Sequence, residues 1–238
     1  MLELNQFRHS PFCLKVRMVL EAKNLSYRLV EITPGIGQVS IFRLSGQRQL
    51  PLLIDGSDVI HDSSAIIRHL NEISPEPNLI PKDSNQASIA FLIEDWADTT
   101  MAKGCKKALI KAAANDSQLR MALLPEEVPS SYRKIIGELP NSILNKFSEF
   151  ATTDINSELL ASLEQLTNLI KSKKWIVGNK ISFADIAVAA QLSLLKFPKS
   201  AGKELAGKGC PEFMDHPKLT DLFDWRDQLE TSLMEVAQ

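Results

Sequence analysis

The 238-residue sequence lacks a strong net charge, a cysteine framework and a long apolar run. Lysine and arginine number 27 against 29 aspartates and glutamates, a formal charge of −2, so no global field draws the chain to nucleic acid or to an acidic membrane. No run of about eighteen apolar residues occurs, and the N-terminus has no basic segment before an apolar stretch. We therefore expect no membrane partner, no secretion and a cytoplasmic location.

Cysteine is scarce as well, with only Cys13, Cys105 and Cys210 in the chain. Three widely separated cysteines cannot form a disulfide scaffold of the kind that small secreted proteins use, and their spacing contains no zinc-site motif. We expect a reducing compartment and no bound metal.

The opening part of the chain carries mixed strand and helix signals. Residues 2–7 alternate as a strand does, residues 12–20 have apolar positions at helical spacing, and residues 27–32 alternate again. This pattern predicts a βαβ unit. Residues 33–46 contain one proline and three glycines, which predicts a loop with one or two helical turns, and the turn-rich segment Asp55-Gly56-Ser57-Asp58 predicts a β-hairpin.

A helix capped by Ser63 or Ser64 follows the hairpin and ends the first predicted domain, residues 1–75. Three prolines in residues 75–81 disfavour helix and indicate a linker, which we set at 76–84. Residues 85–238 show helical patterns without strand patterns, although prolines interrupt residues 115–154, where either short helices or an extended connection is expected. The predicted fold is an α/β domain followed by an all-α domain.

Three helical stripes support the all-α prediction. Each joins apolar residues at helical spacing and is expected to mark a face that packs in the core: Ile89, Leu92, Ile93 and Trp96; Phe183, Ile186, Ala187, Ala190 and Leu194; and Leu222, Trp225, Leu229 and Leu233. Trp96, Met101 and Cys105 fit either core packing, which we favour, or the wall of an apolar pocket. Asp95 and Asp98 are interpreted as facing solvent.

The segment Ser10-Pro11-Phe12-Cys13 lies at the first strand-to-helix junction. Ser10 is a favourable N-cap, and Pro11 takes the first helical position, where no backbone donor is needed. Unpaired amides and the positive end of the helix dipole stabilise an anion such as a thiolate, to which the Ser10 hydroxyl can donate a further hydrogen bond. The alternative is that these residues only begin a helix.

Two further segments of the first domain have the character of a peptide-binding site. Gln49-Leu50-Pro51 precedes a short strand, and a cis bond before Pro51 would expose the Leu50 backbone to an extended peptide ligand, whereas a trans edge-strand proline would be purely structural. Asp62 and Ser63 precede an apolar helix. Ser63 is expected to cap it, while Asp62 faces outward and offers its carboxylate to a ligand ammonium.

These three segments, in this order, resemble the N-terminal domain of the glutathione S-transferase superfamily, nearest to its serine-type classes such as tau. The resemblance implies a thioredoxin-like domain plus an all-helical domain. It also implies that Ser10 activates the glutathione thiol, that Leu50 with Pro51 pairs with the cysteinyl backbone, and that Asp62 with Ser63 binds the γ-glutamyl group.

The resemblance extends to Gln49, which would reach the glycine carboxylate, with Arg48 as the alternative. It extends beyond the linker to residues 178–185, which are similar to the capping motif of a buried helix in the family's second domain. Ser182 and Asp185 have capping-box spacing and are expected to serve folding rather than catalysis.

The expected activity is conjugation of the glutathione thiolate to a hydrophobic electrophile, a detoxification reaction, with no cofactor, and the resemblance implies a homodimer. Two alternatives stay open. Cys13 could act as the nucleophile of a thiol transferase or dehydroascorbate reductase, because Ser10-Pro11-Phe12-Cys13 is similar to a glutaredoxin motif without its first cysteine. The fold could also serve as a non-catalytic binding module. His9 either touches the ligand or covers the domain interface.

Overall fold

The computed structural model describes residues 1–33, 38–124, 128, 130–139 and 154–236. Its first part contains a four-stranded sheet in the order β2-β1-β3-β4. β1 pairs in parallel with β2, and the other two pairings are antiparallel. The strands are β1 (Leu2–Gln6), β2 (Tyr27–Glu31), β3 (Leu52–Asp55) and β4 (Asp58–His61). The predicted βαβ unit and hairpin are therefore confirmed.

Three helices complete this part: α1 (Pro11–Ala22), α2 (Gln38–Ser45) and α3 (Ser63–Ile73). The apolar positions that predicted α1 are fully buried at Val16, Val19 and Leu20. Gly56 has a φ of 61°, the left-handed conformation that the tight turn between β3 and β4 requires. The predicted loop before α2 includes residues 34–37, which lie outside the described residues.

The remaining regular elements of the described residues are helical, apart from an isolated bridge between Lys196 and Gly209. The helices are α4 (Ser84–Trp96), a π-helical turn (Ala97–Met101), α5 (Ala102–Asn115), α6 (Ser117–Ala122), α7 (Ser130–Gly137), α8 (Asp154–Ser172), α9 (Phe183–Leu192), α10 (Pro211–Met214) and α11 (Thr220–Val236). Short 3₁₀ turns cover Lys199–Ala201 and Pro217–Leu219.

The short-helix alternative for residues 115–154 is correct at α6 and α7, while 140–153 lie outside the described residues. In the described part of the chain, no helix is both long and apolar enough to cross a membrane.

α9 is buried on every side, so its predicted apolar stripe is only part of its contact surface. Its start is held by Asp185, whose carboxylate accepts hydrogen bonds from the Ser182 N–H at 2.8 Å, the Ser182 hydroxyl at 2.7 Å and the Ile176 N–H at 2.8 Å. These bonds satisfy donors that a buried helix start would otherwise strand. The structural role predicted for Ser182 and Asp185 is confirmed.

The face by which α4 packs differs from the prediction. Ile89 and Leu92 of the predicted stripe are 50% and 70% exposed, whereas Ala90 and Glu94 are buried. The prediction was right for Ile93 and Trp96, which pack partly buried against the core, and wrong for Ile89 and Leu92. Periodicity assigns the larger apolar residues to the core, whereas here Ala90 and the paired carboxylate of Glu94 take the buried positions. Met101 and Cys105, which follow α4, are fully buried in the core.

The two parts of the chain share one apolar core. A single cluster of buried side chains runs from Leu4 and Leu20 beside the sheet to Ile186 and Leu222 in the helical part. The connection between α3 and α4 is held by Lys23, whose ammonium donates to the carbonyls of Ser74 at 2.6 Å and Pro77 at 3.1 Å. Helix α1 itself packs against α3 of the first domain and against α9 and α11 of the second.

Candidate functional site

A cavity of about 1100 Å³ opens at the N-terminus of α1, between the two domains. It brings together every residue that the sequence predicted for the glutathione site: Ser10, Gln49, Leu50, Pro51, Asp62 and Ser63. Phe7, Phe12 and Ile32 form an apolar wall beside Ser10, and Asp95, Asp98 and Thr99 contribute from the helical domain. Cys13 does not line it.

Ser10 caps α1 as predicted. Its hydroxyl oxygen accepts a hydrogen bond from the Cys13 N–H at 3.4 Å, and Pro11 is the first residue of the helix. Because the oxygen acts as acceptor in this bond, the hydroxyl hydrogen remains available to a ligand. A group placed beside Ser10 therefore meets one hydroxyl donor and the positive end of a twelve-residue helix.

The Leu50–Pro51 bond is cis, the alternative that the sequence left open. Leu50 lies just before β3, and no hydrogen bond to its N–H or C=O is made by the residues that the structure describes. Both groups can therefore pair with the backbone of an extended ligand in the cavity.

At the start of α3 the cap differs from the prediction. Asp62, not Ser63, is the N-cap, and its Oδ1 accepts from the N–H groups of Ser64 at 3.1 Å and Ala65 at 3.0 Å. Ser63 is the first helical residue and is 3% exposed. Asp62 has a φ of 71°, so this aspartate adopts a left-handed conformation at the cavity edge. One of its two oxygens is thus committed to the protein.

Cys13 and His9, next to the cap, are both turned into the protein. Cys13 is fully buried, and burial raises the pKa of its thiol. His9 stands edge-on to Phe7 and Phe197, with ring centroids 5.6 Å and 6.3 Å away, so it covers the domain interface as one alternative predicted. Burial, aided by Arg8 and Arg17, lowers the pKa of His9 to about 4, and the ring is neutral at pH 7.

A buried charge cluster lies behind Asp62 and Ser63, and sequence reasoning missed it. Lys15 is 1% exposed, and its ammonium contacts Glu94 Oε1 at 2.8 Å, Asp98 Oδ2, and Ser64 Oγ at 3.3 Å. The Ser64 hydroxyl also contacts Glu94. Lysine on the first helix thus joins two acids of the second domain. The only sequence signal was the four-residue spacing of Glu94 and Asp98.

Asp98 lines the cavity, as do Ser64 and Glu94 of this cluster, so the solvent-facing interpretation was wrong for it. Its Oδ1 is buried without a hydrogen-bond partner among the described residues. Burial raises the pKa of Asp98, and the adjacent Lys15 opposes that rise. Asp98 lies in the π-helical turn after α4, a local geometry that often occurs at functional sites. Asp95 is exposed and also lines the cavity.

Arg48 and Gln49 also line the cavity, and both are exposed. The Arg48 guanidinium lies over the Phe42 ring, 5.6 Å from its centroid. No cluster of metal-ligating side chains occurs in the described ranges. The cavity therefore offers cations at Arg48 and Arg68, the open backbone of Leu50, a serine beside apolar side chains, and the carboxylates of Asp62 and Asp98.

Two family profiles match the chain. Residues 4–78 match the glutathione S-transferase N-terminal domain, and residues 146–224 match the glutathione S-transferase C-terminal domain. Glutathione S-transferase TCHQD of Arabidopsis thaliana is 25% identical over 228 residues, spanning 84% of this chain and 83% of that protein. Glutathione S-transferase Z1 of the same plant is 31% identical over 93 residues, which are 38% of this chain and 42% of that protein. A glutathione S-transferase structure from Rhodospirillum rubrum F11 superposes with a TM-score of 0.67 at 22% identity, covering 97% and 88% of the two chains.

Proposed function

The chain belongs to the glutathione S-transferase superfamily of enzymes, and from that premise we propose that it joins the sulfur of glutathione to a hydrophobic electrophile. The observation that carries the proposal is the convergence of Ser10, Leu50 and Asp62 on one cavity. These residues come from three separate elements, and each supplies a group that one part of the tripeptide requires.

The tripeptide lies with its cysteinyl backbone on Leu50 and its sulfur at Ser10. The glycine carboxylate points toward Gln49 and Arg48, and the γ-glutamyl carboxylate lies at Ser63 and the first amides of α3. We assign the γ-glutamyl ammonium to Asp98 in addition to Asp62, because Asp62 Oδ1 already caps α3 and Asp98 Oδ1 has no partner among the described residues.

Catalysis consists of holding the sulfur ionised. A free thiol has a pKa of about 8.5, and each unit by which the site lowers it corresponds to about 1.4 kcal/mol of preference for the thiolate. The Ser10 hydroxyl and the α1 amides supply that preference. The thiolate then forms a carbon–sulfur bond with an electrophile that lies on the apolar wall of Phe7 and Phe12, and the electrophile's leaving group departs or its double bond accepts a proton.

The buried state of Cys13 favours this mechanism over the thiol-transferase alternative. A nucleophilic cysteine needs exposure and a lowered pKa, whereas Cys13 is fully buried and burial raises its pKa. If the protein were a non-catalytic module that does not bind glutathione, the backbone groups of Leu50 and the Oδ1 atom of Asp98 would line the cavity without a ligand to bind.

The serine-type, tau-like character and the homodimer remain proposals. Exposed Ile73, Ile89 and Leu92 on α3 and α4 support the homodimer.

The proposal is tested by titrating the ultraviolet absorbance of bound glutathione thiolate against pH. Ser10→Ala should raise the pKa of the bound thiol by about one unit or more. Ser10→Gly removes the same hydroxyl with a smaller loss of helix capping, so an equal shift assigns the effect to the hydroxyl. Cys13→Ser should leave the titration unchanged. If Cys13→Ser abolished activity while Ser10→Ala retained it, the assignment would be reversed.

A further inference from the structure

A second cavity, of about 440 Å³, borders the β1–α1 connection. We call it the edge cavity; its walls include Leu14 and Arg17 of α1, Leu29 of β2, and Glu230 and Leu233 of α11. It shares only Phe7 with the glutathione cavity. Both domains line it, so it is a second interdomain pocket within the usual size range of small-molecule sites.

Most charged groups around the edge cavity already have partners. The Arg17 guanidinium donates to Gln6 Oε1. It also donates to the Arg8 carbonyl oxygen, from Nη1 at 3.4 Å and from Nη2 at 3.3 Å. Glu31 accepts from the Arg8 N–H at 2.6 Å and from Gln6 Nε2 at 2.9 Å. Glu21 accepts from the Tyr27 hydroxyl at 2.8 Å. These pairs hold the side chains of the wall in place, and Arg8, which also lines the cavity, is not free either.

Glu230 is the exception. It is 6% exposed, and its Oε1 accepts from the Ser200 hydroxyl. Within the described ranges its Oε2 receives no hydrogen bond, and its carboxylate forms no salt bridge. Arg226, one helical turn earlier, directs Nε to Asp227 at 2.7 Å and Nη1 to the Lys196 carbonyl at 2.6 Å, while its buried Nη2 has no partner in the same ranges. Burial raises the pKa of the Glu230 carboxyl, and Arg226 and Arg17 act on it only from beyond salt-bridge distance. A ligand cation placed against Oε2 would therefore stabilise the ionised form.

The surroundings of this carboxylate are apolar. Leu14 and Met18 of α1, Leu29 of β2 and Leu233 of α11 supply hydrophobic surface on the same cavity. A molecule that fits must therefore carry a positive charge at one end and an apolar body at the other. An anionic amphiphile would meet Glu31 and Glu230, while the donors of Arg17 are already engaged.

We propose that the edge cavity binds a small amphipathic amine, whose ammonium pairs with Glu230 and whose apolar body packs against α1 and β2. Such a ligand differs from the anionic tripeptide in charge and occupies a different cavity. It would also contact Phe7, Arg8 and His9, the residues immediately before Ser10.

Fluorescence titration with dansylcadaverine, a primary amine with an apolar dansyl group, tests the proposal in the full-length protein. Saturating S-methylglutathione is present to occupy the glutathione cavity. We expect saturable binding that Glu230→Gln weakens at least tenfold, because the amide keeps the shape and loses the charge. Asp224→Asn on the same helix, at an exposed position, removes an equal charge and should bind like wild type. N-acetylated dansylcadaverine, which lacks the ammonium, should bind weakly to all three proteins.

A second pair of variants avoids the risk that a buried substitution disturbs folding. Leu29 is 44% exposed on the edge strand β2, and Val59 is 38% exposed on the opposite edge strand β4. Leu29→Lys places a cation at the edge cavity and should weaken dansylcadaverine binding, while Val59→Lys should not. The proposal fails if the acetylated probe binds as tightly as the amine, if Glu230→Gln and Leu29→Lys both bind like wild type, or if S-methylglutathione displaces the amine.

Discussion

Replacing Lys15 by methionine should destabilise the fold more than any ordinary surface-charge removal. The methionine keeps most of the side-chain volume, and Lys15 is 1% exposed, so the main loss is the cation itself. That cation contacts Glu94 at 2.8 Å and also Asp98, whose side chains are 9% and 15% exposed. Without it, two enclosed carboxylates face each other.

Removing one partner of a buried ion pair typically costs about 3–5 kcal/mol, because the remaining charge stays desolvated. With a urea slope of about 1–3 kcal/mol per molar, this loss lowers the unfolding midpoint by more than about 1 M. An exposed pair would give a loss of only about 0–1 kcal/mol. The two cases are separable in a single denaturation experiment that monitors tryptophan fluorescence.

The pH dependence of this loss has a definite sign. Burial raises the pKa of Asp98 even beside Lys15, and without the lysine nothing opposes that effect. A carboxyl whose folded-state pKa exceeds its unfolded value of about 3.9 costs stability above the folded pKa, and the cost disappears as pH falls toward the unfolded pKa. The deficit of Lys15→Met should therefore be largest near neutral pH and shrink in acid.

Two further variants make the test specific. Lys15→Met with Asp98→Asn should recover part of the stability, since only Glu94 then lacks a counter-charge. Lys103→Met, at an exposed position on α5, should leave the midpoint near that of wild type. A loss below about 1 kcal/mol for Lys15→Met, or an equal loss at neutral and acidic pH, would refute the buried-charge reasoning.

Two other predictions follow from the same geometry. Asp98→Asn should weaken glutathione binding about tenfold, about 1.4 kcal/mol, because it removes the charge that receives the ammonium, while exposed Asp95→Asn should bind normally. Calorimetric titration measures both, and equal affinities would remove Asp98 from the binding site. Asp185→Ala strands three buried donors, each worth about 1–3 kcal/mol, so its urea midpoint should drop steeply or the folded protein should fail to accumulate. A free energy of unfolding within about 0.5 kcal/mol of wild type would contradict this.

Local signals in the sequence predicted the first domain well. The βαβ unit, the hairpin at Gly56 and the cap at Ser10 each depend on neighbouring residues, so turn chemistry, period and capping rules suffice to find them. The cap of α3 was misassigned by one residue because Asp62 and Ser63 are both good caps, and only the backbone conformation decides between them.

The second domain was predicted less well where charged side chains are removed from solvent. Periodicity assigned exposed Ile89 and Leu92 to the core, and partly buried Asp98 was interpreted as facing solvent. Both errors have one cause: the partner that makes burial of Glu94 and Asp98 acceptable is Lys15, about eighty residues earlier. No rule applied to one helix at a time can find such a partner, since desolvation of a charge is compensated in space and not along the chain.

The same long-range pairing bears on how the proposed glutathione site is assembled. The γ-glutamyl carboxylate is assigned to the start of α3 in the first domain, whereas the added acceptor for the ammonium, Asp98, belongs to the second. Lys15 of α1 holds Asp98 at the cavity and limits the cost of burying it beside Glu94. Docking of the two domains is therefore part of forming the binding site, and a loosened interface should weaken tripeptide binding even where every residue of the first domain stays in place.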